Sequence, residues 1–273
     1  IFPIIDVTGN VIAFGGRVMD DSKPKYLNSS DTPGFKKSKN LFALNYAKNY
    51  CEESLILCEG YMDVIALHAA GFENAVATLG TALTAEQARI MTKYTKKVLI
   101  SYDSDDAGQR AADRAIRILG DAGLDVRILK LPDAKDPDEF IKRFGADRLR
   151  SVLNESKTWF DYKADAVFAK HDLEATGGRL KASEEICAII ATSPSQIERE
   201  VYITQTAPKL GLTVEVMRNN VNRLINKMKA AEQTKNLNSI KMSIQNYGDR
   251  VNPDAVKNVT ANACEEGILG MLL

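Results

Sequence analysis

Apolar residues come in short runs early in the chain and at helical spacing later on, and the change between the two patterns divides it. Phe2-Pro3-Ile4-Ile5 and Val11-Ile12-Ala13-Phe14 flank Thr8-Gly9-Asn10, which predicts a β-hairpin within residues 1–20. Between 51 and 145, short runs rich in Val, Ile and Leu alternate with periodic stretches. They predict strands over 54–59, 74–78, 97–102 and 125–131, and helices over 61–70, 84–95, 106–120 and 136–144. Thr84-x-x-Gln87 has the spacing of a capping box, and Ala111, Ala115, Ile118 and Leu119 form an apolar helical stripe. Such alternation implies a mostly parallel sheet with right-handed crossovers. From about 148 the strand signals stop. Val152, Trp159, Phe160, Val167 and Phe168 sit among charges in helix-like text, where they read as core. Ser193-Pro194-Ser195-Gln196 reads as an N-cap, Pro at N1 and Gln at N3, and Thr213 opens a helix with Val214, Met217, Val221 and Leu224 on one face. Residues 229–258 are polar and read as a linker, after which 263–273 begin a new apolar-periodic helix. The expected class is α/β at the centre and α+β overall, with a helical subdomain behind the sheet.

Composition narrows the functional classes. The 36 basic and 36 acidic residues cancel, so any attraction to nucleic acid must come from local patches. Cys51, Cys58, Cys187 and Cys264 are scattered, with no C-x-x-C pair, as are His68 and His171. That spacing offers neither a zinc site nor a disulfide framework and fits a reducing cytosol. No stretch approaches the ~18 apolar residues of a membrane span, and the start lacks a signal pattern. The chain begins at Ile1, inside a strand-like run, and is expected to be a fragment of something longer.

Two acidic stretches follow apolar runs: Glu59-Gly60-Tyr61-Met62-Asp63 after Leu55–Cys58, and Asp103-Ser104-Asp105-Asp106 after Val98–Tyr102. Glu59 and Asp103 are thereby expected at the carboxyl ends of parallel strands, the edge where open α/β sheets bind ligands. Carboxylates gathered there repel one another unless a cation neutralises them, and oxygen-only ligands favour Mg²⁺ or Mn²⁺. Asp63, four residues beyond Glu59, can face the same crevice or simply favour the first turn of a helix. Asp136-Pro137-x-Glu139 reads as an N-cap, Pro at N1 and a reaching acid at N3. Gly60 and Gly108 let backbone approach a phosphate or metal closely. Upstream, Arg17, Lys23, Lys25, Lys36, Lys37, Lys39 and Lys48 outnumber Asp20, Asp21 and Asp31, with Tyr26, Phe35 and Phe42 interleaved. Bases with aromatics suit a surface that grips phosphates and stacks nucleobases, or a solvated loop over the core.

E-G-Y-M-D followed by D-S-D resembles the Toprim domain of primases, topoisomerases and some nucleases. Gly15-Gly16-Arg17, Pro24-Lys25-Tyr26-Leu27-Asn28-Ser29, Leu79-Gly80-Thr81-Ala82-Leu83-Thr84 and Leu131-Pro132-Asp133 with Asp136-Pro137-Asp138 are similar to bacterial replicative DNA primases of the DnaG type, from Ile1 to about residue 230. Ser30-Asp31-Thr32 and Lys36-Lys37 depart mildly from that family's usual Pro-Glu-Thr and His-Lys. The resemblance implies part of a basic α+β subdomain over 1–50, a Toprim subdomain over 51–147 and a helical subdomain over 148–230. It also implies a linker and the start of a helicase-binding domain over 231–273. It implies a DNA-directed RNA polymerase that makes short primers by nucleotidyl transfer. Glu59, Asp103 and Asp105 would be catalytic, joined by Asp63, Asp136 and Asp138 in holding two or more Mg²⁺ or Mn²⁺ ions. Arg17, Lys25, Tyr26, Asn28, Lys37 and Gly60 would contact nucleotide or template. Implied partners are a single-stranded DNA template, ribonucleoside triphosphates, the RNA primer and a replicative helicase reached through the truncated carboxyl-terminal region, at a cytoplasmic, nucleoid location with no membrane. The family's zinc ribbon is not in this stretch. The acids alone leave open a Toprim nuclease or topoisomerase-like enzyme, and the balanced charge leaves open a non-catalytic nucleic-acid-binding fragment.

Overall fold

A computed structural model of the chain describes residues 1–20, 23, 26–102 and 106–246. It divides into Ile1–Leu224 and Ile225–Leu273. The first unit opens with the expected hairpin, β1 (Phe2–Ile5) against β2 (Val11–Arg17), extended by β3 (Tyr26–Asn28) into an antiparallel sheet of order β1-β2-β3. Asp6 builds its turn. One carboxylate oxygen accepts from the backbone N–H groups of Thr8 and Asn10, each at 2.9 Å, and these bonds hold its pKa down at about 2. The Gly15-Gly16-Arg17 stretch lies inside β2, and the Tyr26–Asn28 stretch, to which no element was assigned from sequence, is a strand paired with it.

After the short α1 (Leu44–Ala47) comes the strand–helix alternation. It runs β4 (Leu55–Cys58), α2 (Tyr61–Ala69), β5 (Ala75–Ala77), α3 (Ala85–Met91), β6 (Lys97–Ser101), α4 (Asp106–Asp121), β7 (Asp125–Ile128) and α5 (Pro137–Asn154). The sheet order is β5-β4-β6-β7-β8, parallel except for its last strand. That last strand, β8 (Lys157–Thr158), lies where strand signals were expected to have ended. Two residues are too short to show alternation, and they become a strand only because the edge of β7 is there to pair with. β4 and β6 are buried along nearly their whole length, as central parallel strands must be. Each of Leu55, Ile56, Leu57 and Ile100 leaves water almost completely, which stabilises by about 1.5–3 kcal/mol per side chain. The β4–β6 pair is parallel, but the order in which strands are added to the sheet reverses there. The β4–α2–β5 and β6–α4–β7 crossovers run opposite ways, and right-handedness puts their helices on opposite faces. Ile56 and Cys58 join Val64 and Leu67 of α2 and Phe140, Leu149 and Val152 of α5 in one apolar cluster.

The segment after β3 and an apolar cluster join the antiparallel sheet to the parallel one. Phe42 N–H donates to the Ala77 carbonyl at 2.8 Å and its own carbonyl accepts from Ala77 N–H at 3.3 Å. Ile4, Ala13, Phe35, Tyr61 and Leu79 form a second apolar cluster spanning both.

Behind the sheet lie α6 (Trp159–Lys170), α7 (Thr176–Ala191) and α8 (Gln196–Thr206), and α9 (Val214–Asn246) follows them in the chain. Phe160 stacks on Tyr202 with centroids 3.9 Å apart, fixing α6 against α8. Helix α8 is capped by Ser195, which accepts from Glu198 N–H at 3.3 Å, so it starts two residues later than the expected cap at Ser193. Ser193 instead donates to the Glu198 carboxylate at 2.7 Å. Residues 229–246, expected as linker, are helical within α9. No glycine or proline interrupts Val214–Asn246, so nothing in the backbone stops that helix. The expected new helix at 263–273 lies outside the described residues.

Candidate functional site

Glu59 and Gly60 leave the sheet directly after β4, at its carboxyl edge and at the switch point beside β6. The chain then turns at once into α2, whose first turn carries Asp63. A Cβ at Gly60 would lie 3.3 Å from Asp63 Oδ2, so the glycine leaves that carboxylate its room. A cavity of about 400 Å³ opens here. Glu59, Asp63, Asp136 and Asp138 line it together with Arg17, Tyr26, Asn28 and Gly60. Eight of the side chains or backbone positions singled out in the sequence therefore meet in one place, although they come from β2, β3, the β4–α2 turn and the start of α5. Asp103, Asp105 and Lys25 lie outside the described residues. Lys37 does not line the cavity. It sits in a 3₁₀ turn whose backbone N–H donates to Asp31 Oδ1 at 3.1 Å and whose carbonyl accepts from Gln87 Nε2 at 3.0 Å.

Asp136 is an N-cap that also lies at the cavity. Its Oδ1 accepts from Glu139 N–H at 2.7 Å as the N-cap of α5, and the same residue borders the cavity. Asp138 is paired with Lys142 at 2.6 Å, an exposed i,i+4 pair. Arg17 places its guanidinium 5.9 Å from the Tyr26 ring centroid, and Tyr26 meets Tyr61 edge-on at 6.3 Å. The Asn28 amide is engaged within the protein: Tyr61 Oη donates to Asn28 Oδ1 at 2.5 Å, and Asn28 Nδ2 donates to the Leu79 carbonyl at 2.9 Å.

Tyr61, Met62, Thr78 and Gly80 also line the cavity, and none had been assigned a role from sequence. Tyr61 and Met62 had stood within the E-G-Y-M-D motif, as Gly80 had within the Leu79–Thr84 motif. Gly80 adopts φ +70°, a left-handed conformation that favours glycine. Burial pushes the Tyr61 phenol up to about 12, offset in part by its bond to Asn28. Tyr102, next after β6, is raised further, by burial first and then by the Glu59 carboxylate, so it stays a neutral phenol beside that acid. Among the described residues, no three His, Cys, Asp or Glu side chains are grouped closely enough to hold a metal ion. The acidic side chains on the cavity wall, Glu59, Asp63, Asp136 and Asp138, nevertheless offer carboxylate oxygens, the donor type that suits a hard divalent cation. No described helix is long and apolar enough to cross a membrane.

Three family models match the chain in succession: the N-terminal domain of the DNA primase catalytic core over 1–48, a Toprim-like domain over 56–141, and the DnaB-helicase binding domain of primase over 160–215. The third falls on the helices behind the sheet, ahead of the 231–273 stretch where the sequence placed the start of such a domain. The DNA primase of Clostridium acetobutylicum is 42% identical over 252 residues, which is 92% of this chain and 41% of that protein. The chain thus spans about two fifths of the length of such relatives. A DNA primase domain from Pseudomonas aeruginosa superposes with a TM-score of 0.70 at 35% identity, over 82% of this chain and 71% of that one. A DnaG primase catalytic domain solved bound to single-stranded DNA superposes at 0.66 with 33% identity, over 77% and 68%. With the ordered matches, the shared fold and the site motifs in agreement, the chain belongs to the bacterial DnaG-type DNA primase family.

Proposed function

We propose that the chain is the catalytic core of a primase that synthesises short RNA primers on single-stranded DNA from ribonucleoside triphosphates. The observation that carries this is the meeting of an acidic group (Glu59, Asp63, Asp136, Asp138) with a basic and aromatic pair (Arg17, Tyr26) in one cavity at the sheet's switch point. Reaction joins a primer 3′-oxygen to the α-phosphorus of the next nucleotide, while the bond to the departing pyrophosphate breaks. Glu59 is our assigned base, taking the proton of the attacking hydroxyl. Arg17 holds phosphate negative charge by charge-assisted hydrogen bonds, and Tyr26 offers a ring face for a base. Glu59 and Asp63, with Asp103 and Asp105 and with Asp136 and Asp138 at the margin, would hold Mg²⁺ or Mn²⁺. Such ions neutralise charge on the attacking and leaving oxygens in this chemistry. A replicative helicase is the proposed protein partner, supported by the match over 160–215. Residues 1–50, 51–147 and 148–230 would act as the basic, metal-holding and helical subdomains respectively.

Calorimetric titration with Mn²⁺ tests the core of this reading. Loss of binding in both Glu59→Gln and Asp103→Asn, with folding unchanged by circular dichroism, is the expected result. Undiminished binding in both would remove these carboxylates as ligands and with them the proposed chemistry.

A further inference from the structure

We propose that Tyr61 and Asn28 are positioning residues, a clamp that sets the span between the basic strand pair β2–β3 and the carboxylate edge of the parallel sheet; this rests on the functional reading above. Asn28 sits on β3, and its side-chain amide is gripped by two different segments at the carboxyl edge of the parallel sheet. Tyr61, the first residue of α2, donates to Oδ1 at 2.5 Å, while the Leu79 carbonyl beyond β5 accepts from Nδ2 at 2.9 Å. One amide thus ties together the antiparallel strand, the turn that carries Glu59 and the loop that carries Gly80.

The fit around this amide is close. A Cβ at Gly15 would lie 2.6 Å from Tyr61 Cε2 and 2.9 Å from Asn28 Oδ1. A Cβ at Gly80 would lie 2.6 Å from Asn28 Nδ2. Separations under about 3 Å are inside van der Waals contact, so the two sheets approach this closely only because both positions are glycine. The Tyr61 ring is held on its other sides by Phe42 at 4.5 Å and Phe2 at 5.7 Å, and it is 3% exposed. Tyr26 rests edge-on against it and carries Arg17 over its own ring. Arg17 and Glu59 are therefore connected through Tyr26, Tyr61 and Gly60, a short path of packed rings and backbone.

Apolar packing alone does not need the phenol oxygen. A phenylalanine would fill the same space, but the Asn28 amide would lose the donor that fixes its orientation, and β3 would be free to shift against the acids. Reaction requires the two halves in register at once, and a displacement of about 1 Å can cost on the order of 100-fold in rate. Binding to either half alone has no such requirement.

The test compares the wild-type protein with Tyr61→Phe, reading Mn²⁺ affinity, thermal midpoint, Mn²⁺-induced paramagnetic relaxation of the Arg17 and Tyr26 resonances, and template-directed synthesis. The expected result is unchanged Mn²⁺ affinity and thermal midpoint, altered relaxation at Arg17 and Tyr26 but not at Ala66 of α2, and kcat lower by about 10- to 100-fold. Asn28→Asp keeps an acceptor for Tyr61 but removes the donor to Leu79, and should shift the same resonances. Relaxation unchanged in both variants would overturn the clamp, as would a rate loss that merely tracks lost Mn²⁺ binding or unfolding. A wild-type protein that binds Mn²⁺ but makes no primer would defeat the functional reading alone, because the relaxation pattern still decides the clamp.

Discussion

Asp136 shows how one side chain serves folding and site together. It caps α5 through Glu139 N–H and stands at the rim of the acidic cavity, so its replacement has two consequences. Asp136→Asn keeps an acceptor for the cap while removing the charge. We expect stability to change by less than about 1 kcal/mol in urea unfolding, with weaker binding of any ion held at the rim. Asp6 carries a different prediction, since its carboxyl is depressed from 3.8 to about 2 by hydrogen bonds from Asn10 and Thr8. A depressed folded pKa means stability that is present above the ordinary value and is lost as pH falls through the folded one. Asp6→Ala should therefore lower the thermal midpoint at pH 7, with the difference shrinking as pH falls towards 2, and an NMR titration of Asp6 should place its midpoint near 2. Arg17 belongs to the same scale. If its guanidinium holds phosphate, Arg17→Ala should weaken single-stranded DNA binding and lower the salt slope by about one.

Among the elements, α3 shows most plainly how a local signal is reused for long-range order. Thr84 accepts from Gln87 N–H at 3.1 Å and Thr84 N–H donates to Gln87 Oε1 at 3.0 Å, the reciprocal box read from the sequence. The same Gln87, fully buried, also donates to the carbonyls of Lys37 at 3.0 Å and Asn40 at 2.7 Å, so the cap fastens the basic turn to the parallel-sheet unit. Thr84→Ala should cost about 1 kcal/mol as a lost cap. Gln87→Ala should cost more, about 1–3 kcal/mol for each buried carbonyl left unpaired, measured by urea unfolding. Elements that were misread share a cause. β8 is too short to show a period, and α8 starts at Ser195 because Ser193 is drawn to the Glu198 carboxylate. In both cases a neighbour decides what the residue does.

At the scale of the molecule, the site exists because the strand order reverses between the parallel strands β4 and β6, which opens a crevice at their carboxyl ends. The helices behind the sheet hold that frame through the stacked Phe160–Tyr202 pair, with Trp159 edge-on to Tyr202 at 5.8 Å. Phe160→Ala should cost about 3–5 kcal/mol in global stability, since it empties a fully buried aromatic site between helices.

The sequence by itself was enough for the class of the fold, the order of strands and helices from β4 to α5, the capping box at Thr84 and the place of Glu59 at a strand end. Each of these is a local property: Leu55–Cys58 is a buried strand because it is an unbroken apolar run, and Glu59 stands at its carboxyl end because it comes next. Only the tertiary structure decided that Arg17 and Tyr26 reach the same cavity as Asp136 and Asp138 while Lys37 does not. It also joined the Asn28 amide to Tyr61 and Leu79 while leaving the residue on the cavity wall. Those outcomes depend on partners 33 and 51 residues away along the chain. A side-chain amide pairs with whatever the packing of two sheets brings beside it, and no pattern within its own strand records that.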